Sequence, residues 1–73
     1  MNVVFSDHAK KQNLRRNIPI NRIESTLQNP DEILPSYRKR KLYRKAYFDR
    51  ILEVVIVEEH DIMMVITQYY LDI

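Results

Sequence analysis

The end of the chain constrains the fold most strongly, because it holds two runs rich in Val and Ile with only three residues between them. The runs span residues 51–58 and 62–70, and Glu59, His60 and Asp61 separate them. β-Branched residues favour strands, and a short polar break between two such runs favours a hairpin. We therefore expect two antiparallel strands against which the rest of the chain packs.

Strand periodicity sorts the side chains of this hairpin onto two faces. With a three-residue loop, Val54 faces Ile66 and Glu53 faces Thr67, whereas a two-residue loop would mix the faces. One face is then wholly apolar: Leu52, Val54, Ile56, Ile62, Met64 and Ile66. The other is mixed: Ile51, Glu53, Val55, Val57, Met63, Val65, Thr67 and Tyr69. We expect helices on the apolar face and a functional site on the mixed one. A solvated cross-strand pair accounts equally well for Glu53 and Thr67.

The first fifty residues predict two helices and further strands. After a short strand or lead-in at 2–5, Ser6 is a favourable N-cap for a helix over 7–16. Pro19 suits the first turn of a second helix over 19–28. Residues 31–35 read as an extended edge piece, and residues 42–48 alternate as a strand. The sequence therefore predicts one α+β domain over residues 1–73, with two helices and three to four antiparallel strands.

The chain contains no glycine. Turns that need a positive φ must then use Asn or Asp, and the candidates are Asn17, Asn29, Asp49 and Asp61. A glycine-rich phosphate loop is excluded, and with it the nucleotide-binding classes that depend on one. The chain also lacks cysteine, which excludes disulfides and thiolate chemistry. The absence of cysteine fits a cytoplasmic protein. Acidic residues interrupt the apolar end, so we expect no membrane span.

Charge is distributed unevenly along the sequence. Residues 1–50 hold all twelve Lys and Arg against five acidic residues, whereas residues 51–73 hold five acidic residues and no basic one. A positive half on a small protein points to a polyanion or an acidic partner. A solvated surface that serves solubility is the alternative.

Basic and aromatic side chains are interleaved just before the hairpin. Cations pair with phosphates and tyrosine rings stack on unpaired bases, so this mixture is typical of contact with single-stranded RNA. The cations are Arg38, Lys39, Arg40, Lys41, Arg44, Lys45 and Arg50, and the rings are Tyr37, Tyr43 and Tyr47. A basic edge strand that resists aggregation between sheets would show the same pattern.

Few residues have the pattern of a catalytic or metal-ligating group. His60 lies between acidic residues and reads as loop polarity, and no metal-ligand spacing is visible, so we expect no metal or cofactor. His8 recurs at helical spacing with Gln12 and with Arg15 or Arg16. Metal-free RNA cleavage needs a base, an acid and cations. The groups that could supply them are His8, Arg15 or Arg16, Lys45, Thr67 and Tyr69.

Short motifs along nearly the whole chain resemble those of a known family. Residues 5–9 match F-[ST]-x-H-A, residues 16–18 match R-G-I, and residues 27–33 match L-x-N-P-D-E-[IV]. Residues 50–55 and 65–69 match the strand signatures R-x-L-x-V-V and V-I-T-x-Y. The chain thereby resembles a small, mostly uncharacterised bacterial and archaeal family of the RelE/ParE-like toxin superfamily.

The resemblance implies a fold, an activity and a set of site residues. The fold is two helices on a curved antiparallel sheet. The activity is that of a metal-independent endoribonuclease, an mRNA interferase of a toxin–antitoxin system, acting on RNA such as ribosome-bound mRNA and neutralised by a small acidic antitoxin. The positions carried over by motif are His8, Arg16, Arg50, Thr67 and Tyr69, with Lys45 as a looser match.

The chain departs from the family pattern at four positions: Gln12 and Asn13 stand where Arg and Met are frequent, Asn17 where Gly is frequent, and Pro19 where a Ser or Thr cap is frequent. The Arg that is frequent in the family and absent here would affect catalysis more than the fold. The superfamily also includes gyrase poisons. Two other functions therefore remain open. One is a non-catalytic module that binds RNA or an acidic protein through residues 37–50. The other is a small homodimer that associates through the face carrying Val55, Val57, Met63 and Val65.

Overall fold

The terminal hairpin lies inside a five-stranded sheet. The computed structural model describes residues 2–48 and 50–71. Its elements are β1 (Asn2–Phe5), α1 (Asp7–Arg16), α2 (Ile20–Gln28), β2 (Glu32–Pro35), β3 (Arg40–Tyr47), β4 (Arg50–Glu59) and β5 (Ile62–Leu71). The strand order is β1-β5-β4-β3-β2, so the predicted hairpin, β4 with β5, occupies the interior. The prediction of an α+β fold with two helices is confirmed.

The prediction of three to four antiparallel strands is wrong in number and in direction. The sheet has five strands, and β1 pairs parallel with β5, with Asn2 opposite Ile62 and Phe5 opposite Val65. The other three pairings are antiparallel. A parallel pairing needs a long connection, and here nearly the whole chain lies between the two strands. No local pattern in a four-residue strand identifies so distant a partner.

The two helices cover one face of the sheet and close the core there. Ala9 of α1 and Ile23 of α2 are fully buried, as are Leu52, Val54 and Ile56 of β4. The remaining members of this core are Ile18, Leu27, Tyr43, Met63 and Val65. The inward positions predicted for β4 are therefore confirmed. No helix among the described residues is long and apolar enough to cross a membrane.

The predicted inward face of β5 is wrong in the first half of the strand. Glu59 pairs with Ile62, so the hairpin loop has two residues, and a β-bulge leaves Ile66 without an opposite residue. Ile62 and Met64 are 43% and 40% exposed, whereas the neighbouring Met63 and Val65 are buried in the core. Met63 and Val65 therefore do not belong to the dimer face suggested from the sequence, which leaves Val55 and Val57 of that set.

The second half of β5 returns to the predicted faces. The shorter loop inverts the parity of the strand, and the bulge inverts it again. Glu53 therefore faces Tyr69 rather than Thr67, and Val54 faces Gln68 rather than Ile66. Thr67 and Tyr69 nevertheless share the mixed face with Glu53, as predicted.

Residues with positive φ close the turns in place of glycine. Asn17 ends α1 at φ 56°, as predicted, and donates its N–H to Asn13 O at 2.7 Å. Asn29, at φ −144°, is not left-handed, and the turn between β4 and β5 uses His60 rather than Asp61. Among the described residues, the remaining positive φ values fall on Arg38, Lys39 and Phe48. Asp49, the other candidate, lies outside the described residues.

We predict that Phe48→Asn stabilises the fold. Phe48 has φ 57° and is 99% exposed, so the substitution removes steric strain and almost no packing. The expected gain is about 1 kcal/mol in the free energy of unfolding, or about 4–8 °C in Tm for a domain of this size. Thermal and urea unfolding measure it.

Tyr37→Asn is the matched control, because Tyr37 is also an exposed aromatic residue next to a turn but is not among the residues with positive φ. It should produce no gain. Equal stabilisation by both substitutions would contradict the explanation by strain.

Candidate functional site

The end of α1 places Arg16 against the half of β5 that does not pair with β1. β1 pairs only with residues 62–65, so α1 rather than a strand flanks the following residues of β5. Arg16 Nη1 donates to Thr67 Oγ1 at 3.1 Å and to Gln68 O at 2.9 Å. Its guanidinium carbon lies 5.8 Å from the centre of the Tyr69 ring. The structure therefore brings together three of the predicted catalytic residues.

Contacts at the start of α1 hold the helix against β5 and so fix this position of Arg16. Ser6 caps the helix by accepting the Ala9 N–H at 3.0 Å, and its Oγ donates to Ile66 O at 3.2 Å. The fully buried Gln68 donates from Nε2 to Ala9 O at 3.0 Å. Because the N-cap and the first turn of the helix are both bonded to β5, the helix lies against this strand and its last turn lies beside Thr67 and Tyr69.

Two further arginines lie at the same end of the sheet. Arg50 stacks on Tyr70, with 3.6 Å from its guanidinium carbon to the ring centre. Arg22 donates to Tyr70 Oη at 2.6 Å and lies 4.7 Å from the centre of the Tyr47 ring. An open cleft of about 270 Å³ is lined by Arg16, Ile18, Arg50, Tyr69 and Tyr70. We call it the arginine–tyrosine cleft.

A buried carboxylate lies behind Tyr69. Glu53 is only 4% exposed; it accepts from Arg44 Nε at 2.6 Å and from the Tyr69 hydroxyl. Burial, with the Glu53 hydrogen bond and charge, raises the pKa of Tyr69 to about 12. The phenol therefore keeps its proton at neutral pH and donates a hydrogen bond to Glu53. This arrangement fixes the ring of Tyr69 in the wall of the cleft.

His8 and Lys45 lie apart from the cleft. His8 is exposed in the first turn of α1, about 12 Å along the helix axis from Arg16 at ~1.5 Å per residue. Lys45 is on the helix-covered face, and its Nζ donates to Asn29 O at 2.8 Å. The sheet separates Lys45 from Tyr69.

The predicted RNA-contacting strand is divided among several environments. Tyr43 is buried in the core with 7% exposure, so its ring is unavailable for stacking and its assignment to an RNA surface is wrong. The strand alternation that placed it with Lys45 and Tyr47 did not show that helices cover that face. Tyr47 is half-buried and donates from Oη to Arg22 O at 2.9 Å, and Arg44 is paired with Glu53.

The other predicted contacts are more open. Arg15 is exposed beside Arg16, and Arg50 lines the cleft. Arg38, Lys39, Arg40 and Lys41 form the turn between β2 and β3 and the start of β3. They lie at the opposite end of β3 from Tyr47.

Sequence reasoning did not assign Glu53, Arg22 or Tyr70 to the site. Glu53 carried a signal, because it is the only polar residue between Ile51 and Val57 and such a residue in a buried strand needs a partner. Arg22 and Tyr70 carried none, since each reads as the polar or half-exposed position of an amphipathic element. No three His, Asp or Glu side chains converge as a metal site in the described ranges.

We predict that Glu53→Gln lowers the pKa of Tyr69 from about 12 towards the ordinary tyrosine value of 10.0, because the carboxylate charge and its hydrogen bond both favour the protonated phenol. Burial remains and keeps part of the shift. NMR titration of the Tyr69 ring carbon, assigned with Tyr69→Phe, measures it. An unchanged Tyr69 pKa in Glu53→Gln would show that the carboxylate does not act on the phenol.

The raised pKa also predicts a loss of stability in alkali. The folded-state pKa of about 12 exceeds the unfolded value of 10.0, so this contribution to stability is complete below pH 10 and is lost as the pH rises towards 12. Tyr69→Phe has no proton to lose at this position. In urea unfolding across this range, the wild type should lose more stability than Tyr69→Phe, and parallel curves would contradict the prediction.

Comparison with known proteins identifies a family for the chain. A family model described as Domain of unknown function (DUF4258) matches residues 5–70, which include every residue of the arginine–tyrosine cleft. No curated protein and no solved structure matches the chain. The description of the family names no toxin, so the resemblance to RelE/ParE-like toxins stays a prediction.

Proposed function

Because the chain belongs to the family described as Domain of unknown function (DUF4258), we propose its function from its own geometry: it is a metal-independent endoribonuclease that binds RNA in the arginine–tyrosine cleft. The observation that carries this proposal is the position of Arg16, held against Thr67 and Tyr69 in a cleft that Arg50 also lines. The resemblance to RelE/ParE-like toxins supports the same activity.

Arg16 and Arg50 are arranged to bind a phosphodiester. A guanidinium carries five N–H donors, and among the residues that the structure describes Arg16 uses only Nη1, for Thr67 and Gln68, so that Nε and Nη2 can donate to a ligand. Arg50 is held by stacking on Tyr70. Arginine binds phosphate through paired N–H groups, and two such groups neutralise the charge that builds up on a phosphorane.

Glu53 and Tyr69 can receive the proton that cleavage releases. The ribose 2′-oxygen attacks phosphorus and the bond from phosphorus to the 5′-oxygen breaks. The 2′-hydroxyl proton passes to Tyr69 Oη as the phenol proton passes to Glu53. The departing 5′-oxygen takes a proton from water in the open cleft, and the hydroxide that remains is neutralised when Glu53 releases its proton through Tyr69. The products are a 2′,3′-cyclic phosphate and a 5′-hydroxyl, and neither His8 nor Lys45 takes part.

We predict that Arg16→Ala lowers the rate of RNA cleavage about 100-fold, the usual loss when one donor to a developing oxyanion is removed. Arg15→Ala is the matched control, because it removes the same charge from the adjacent, exposed position and should change the rate less than about twofold. The assay uses purified protein and single-stranded RNA with a chelator, with analysis of product ends.

Two further variants separate this mechanism from the one predicted from sequence. Tyr69→Phe should lose activity and His8→Ala should retain it. Activity that is lost in His8→Ala and retained in Tyr69→Phe would show that His8, rather than Tyr69 and Glu53, transfers the proton. Absence of cleavage by the wild type, with and without ribosomes, would overturn the proposal.

A toxin role adds a cellular readout. Induced expression in a bacterial host should arrest growth with RNA decay, and Arg16→Ala should relieve both effects. A small acidic antitoxin suits the positive cleft by charge. Arrest without RNA decay would contradict an endoribonuclease and direct attention to gyrase.

A non-catalytic RNA-binding module is the second candidate. It is favoured by two observations: the Tyr69 hydroxyl is already bonded to Glu53, and His8 and Lys45 lie outside the cleft. This candidate predicts salt-dependent RNA binding by the wild type, lost in Arg16→Ala, without cleavage under any condition.

A further inference from the structure

We infer that the cavity beside the turn between β2 and β3 is a second anion site, separate from the arginine–tyrosine cleft, and that it takes a phosphate group. The cavity measures about 490 Å³, and its polar lining consists of Ser36, Lys39, Arg40, Lys41 and Glu58. We call it the turn cavity.

The turn cavity has an excess of positive charge. Three cations and one carboxylate line it. The salt bridges of the described residues involve Arg44 with Glu32 and Glu53, and none of them includes a residue of this cavity. The cations are therefore not neutralised within the part of the chain that the structure describes, and an anion in the cavity would neutralise them.

Arg40 gives the more specific indication. Its Nε is buried and has no hydrogen-bond partner, whereas buried N–H groups in folded proteins are nearly always paired. Arg40 as a whole is half-buried, and it is one of the residues that line the cavity. A phosphate oxygen is the acceptor that suits a guanidinium N–H best.

The backbone of the turn is strained where the cations are displayed. Arg38 and Lys39 have consecutive positive φ values of 59° and 60°. Asn and Gly adopt these angles far more readily, and side chains with a long stem do so at a cost. The Ser36 N–H bonds Arg40 O at 2.9 Å and fixes the turn. Strain of this kind concentrates at binding sites.

Resistance to aggregation explains only part of these observations. Lysine and arginine on an edge strand discourage pairing between sheets. That role requires charged groups in water, and it gives no reason for a buried, unpaired Nε or for a concave surface between β2 and β4. Anion binding accounts for the charge, the unpaired donor and the cavity together.

The turn cavity and the cleft lie too far apart to share one phosphate. β3 runs from Arg40 to Tyr47, which is about 23 Å at ~3.3 Å per residue. A nucleic acid strand stacked as in a duplex, with one phosphate per ~3.4 Å of helix axis, would cover that length with about seven nucleotides. RNA as the source of the phosphate therefore rests on the proposed function, whereas the anion site itself does not.

NMR titration of the amide signals tests the site with two probes, inorganic phosphate and a single-stranded RNA oligonucleotide. We expect saturable shifts from phosphate, centred on residues 36–41 and Glu58. Arg40→Ala should weaken phosphate binding about tenfold or more, since a charged hydrogen bond is lost. Lys11→Ala, which removes an exposed charge on α1, should leave it unchanged. The amide spectrum of each variant also shows whether it is folded.

The two probes distinguish the source of the phosphate. Saturable binding of both, with competition between them at residues 36–41, identifies an RNA phosphate. Binding of inorganic phosphate alone identifies a small-anion site. Phosphate shifts that do not saturate, or that persist unchanged in Arg40→Ala, overturn the proposal. Failure of the cleavage assay would not change the interpretation of these outcomes, because the titration measures binding only.

Discussion

The β-bulge at Ile66 decides which side chains of β5 reach the cleft. If the pairing of Ile56 with Val65 continued without it, Thr67 and Tyr69 would point into the core and Gln68 would point away from it. The Ser6 hydroxyl, which caps α1, donates to the carbonyl of the same Ile66. Because one contact joins the bulge to the start of the helix, the register of β5 and the position of Arg16 depend on each other.

The buried charge of Glu53 is tolerated because the site satisfies both carboxylate oxygens. An isolated carboxylate in a sheet would be strongly destabilising, but here one oxygen accepts from Arg44 and the other from Tyr69. The three side chains come from adjacent strands, so the network crosses β3, β4 and β5 on the face without helices. Removing one partner would leave a desolvated charge, which makes the position of Tyr69 costly to change.

Local signals in the sequence predicted local structure well and distant pairing poorly. Ser6, Asn17 and Pro19 placed both helices, and the alternation of Leu52, Val54 and Ile56 identified the inward face of β4. The parallel partner of β1 could not be predicted, because its pairing depends on closing a loop of nearly the whole chain. On the site, the motif resemblance grouped Arg16, Thr67 and Tyr69, which do converge. It could not show that Tyr43 is buried or that Glu53 supports Tyr69, since both depend on which face the helices cover.

The arginines in and beside the cleft show how a chain without glycine can prepare an anion site. A glycine-rich loop would offer backbone N–H groups, and that option is absent here. Side-chain donors are flexible, and ordering them on binding opposes affinity. In this fold Arg16 is bonded to Thr67 and Gln68, Arg22 to Tyr70, and Arg50 is stacked on Tyr70. The tyrosines of β5 therefore act first as supports that hold guanidinium groups in place, and the rigidity that a backbone loop supplies elsewhere comes here from cation–π contacts and hydrogen bonds.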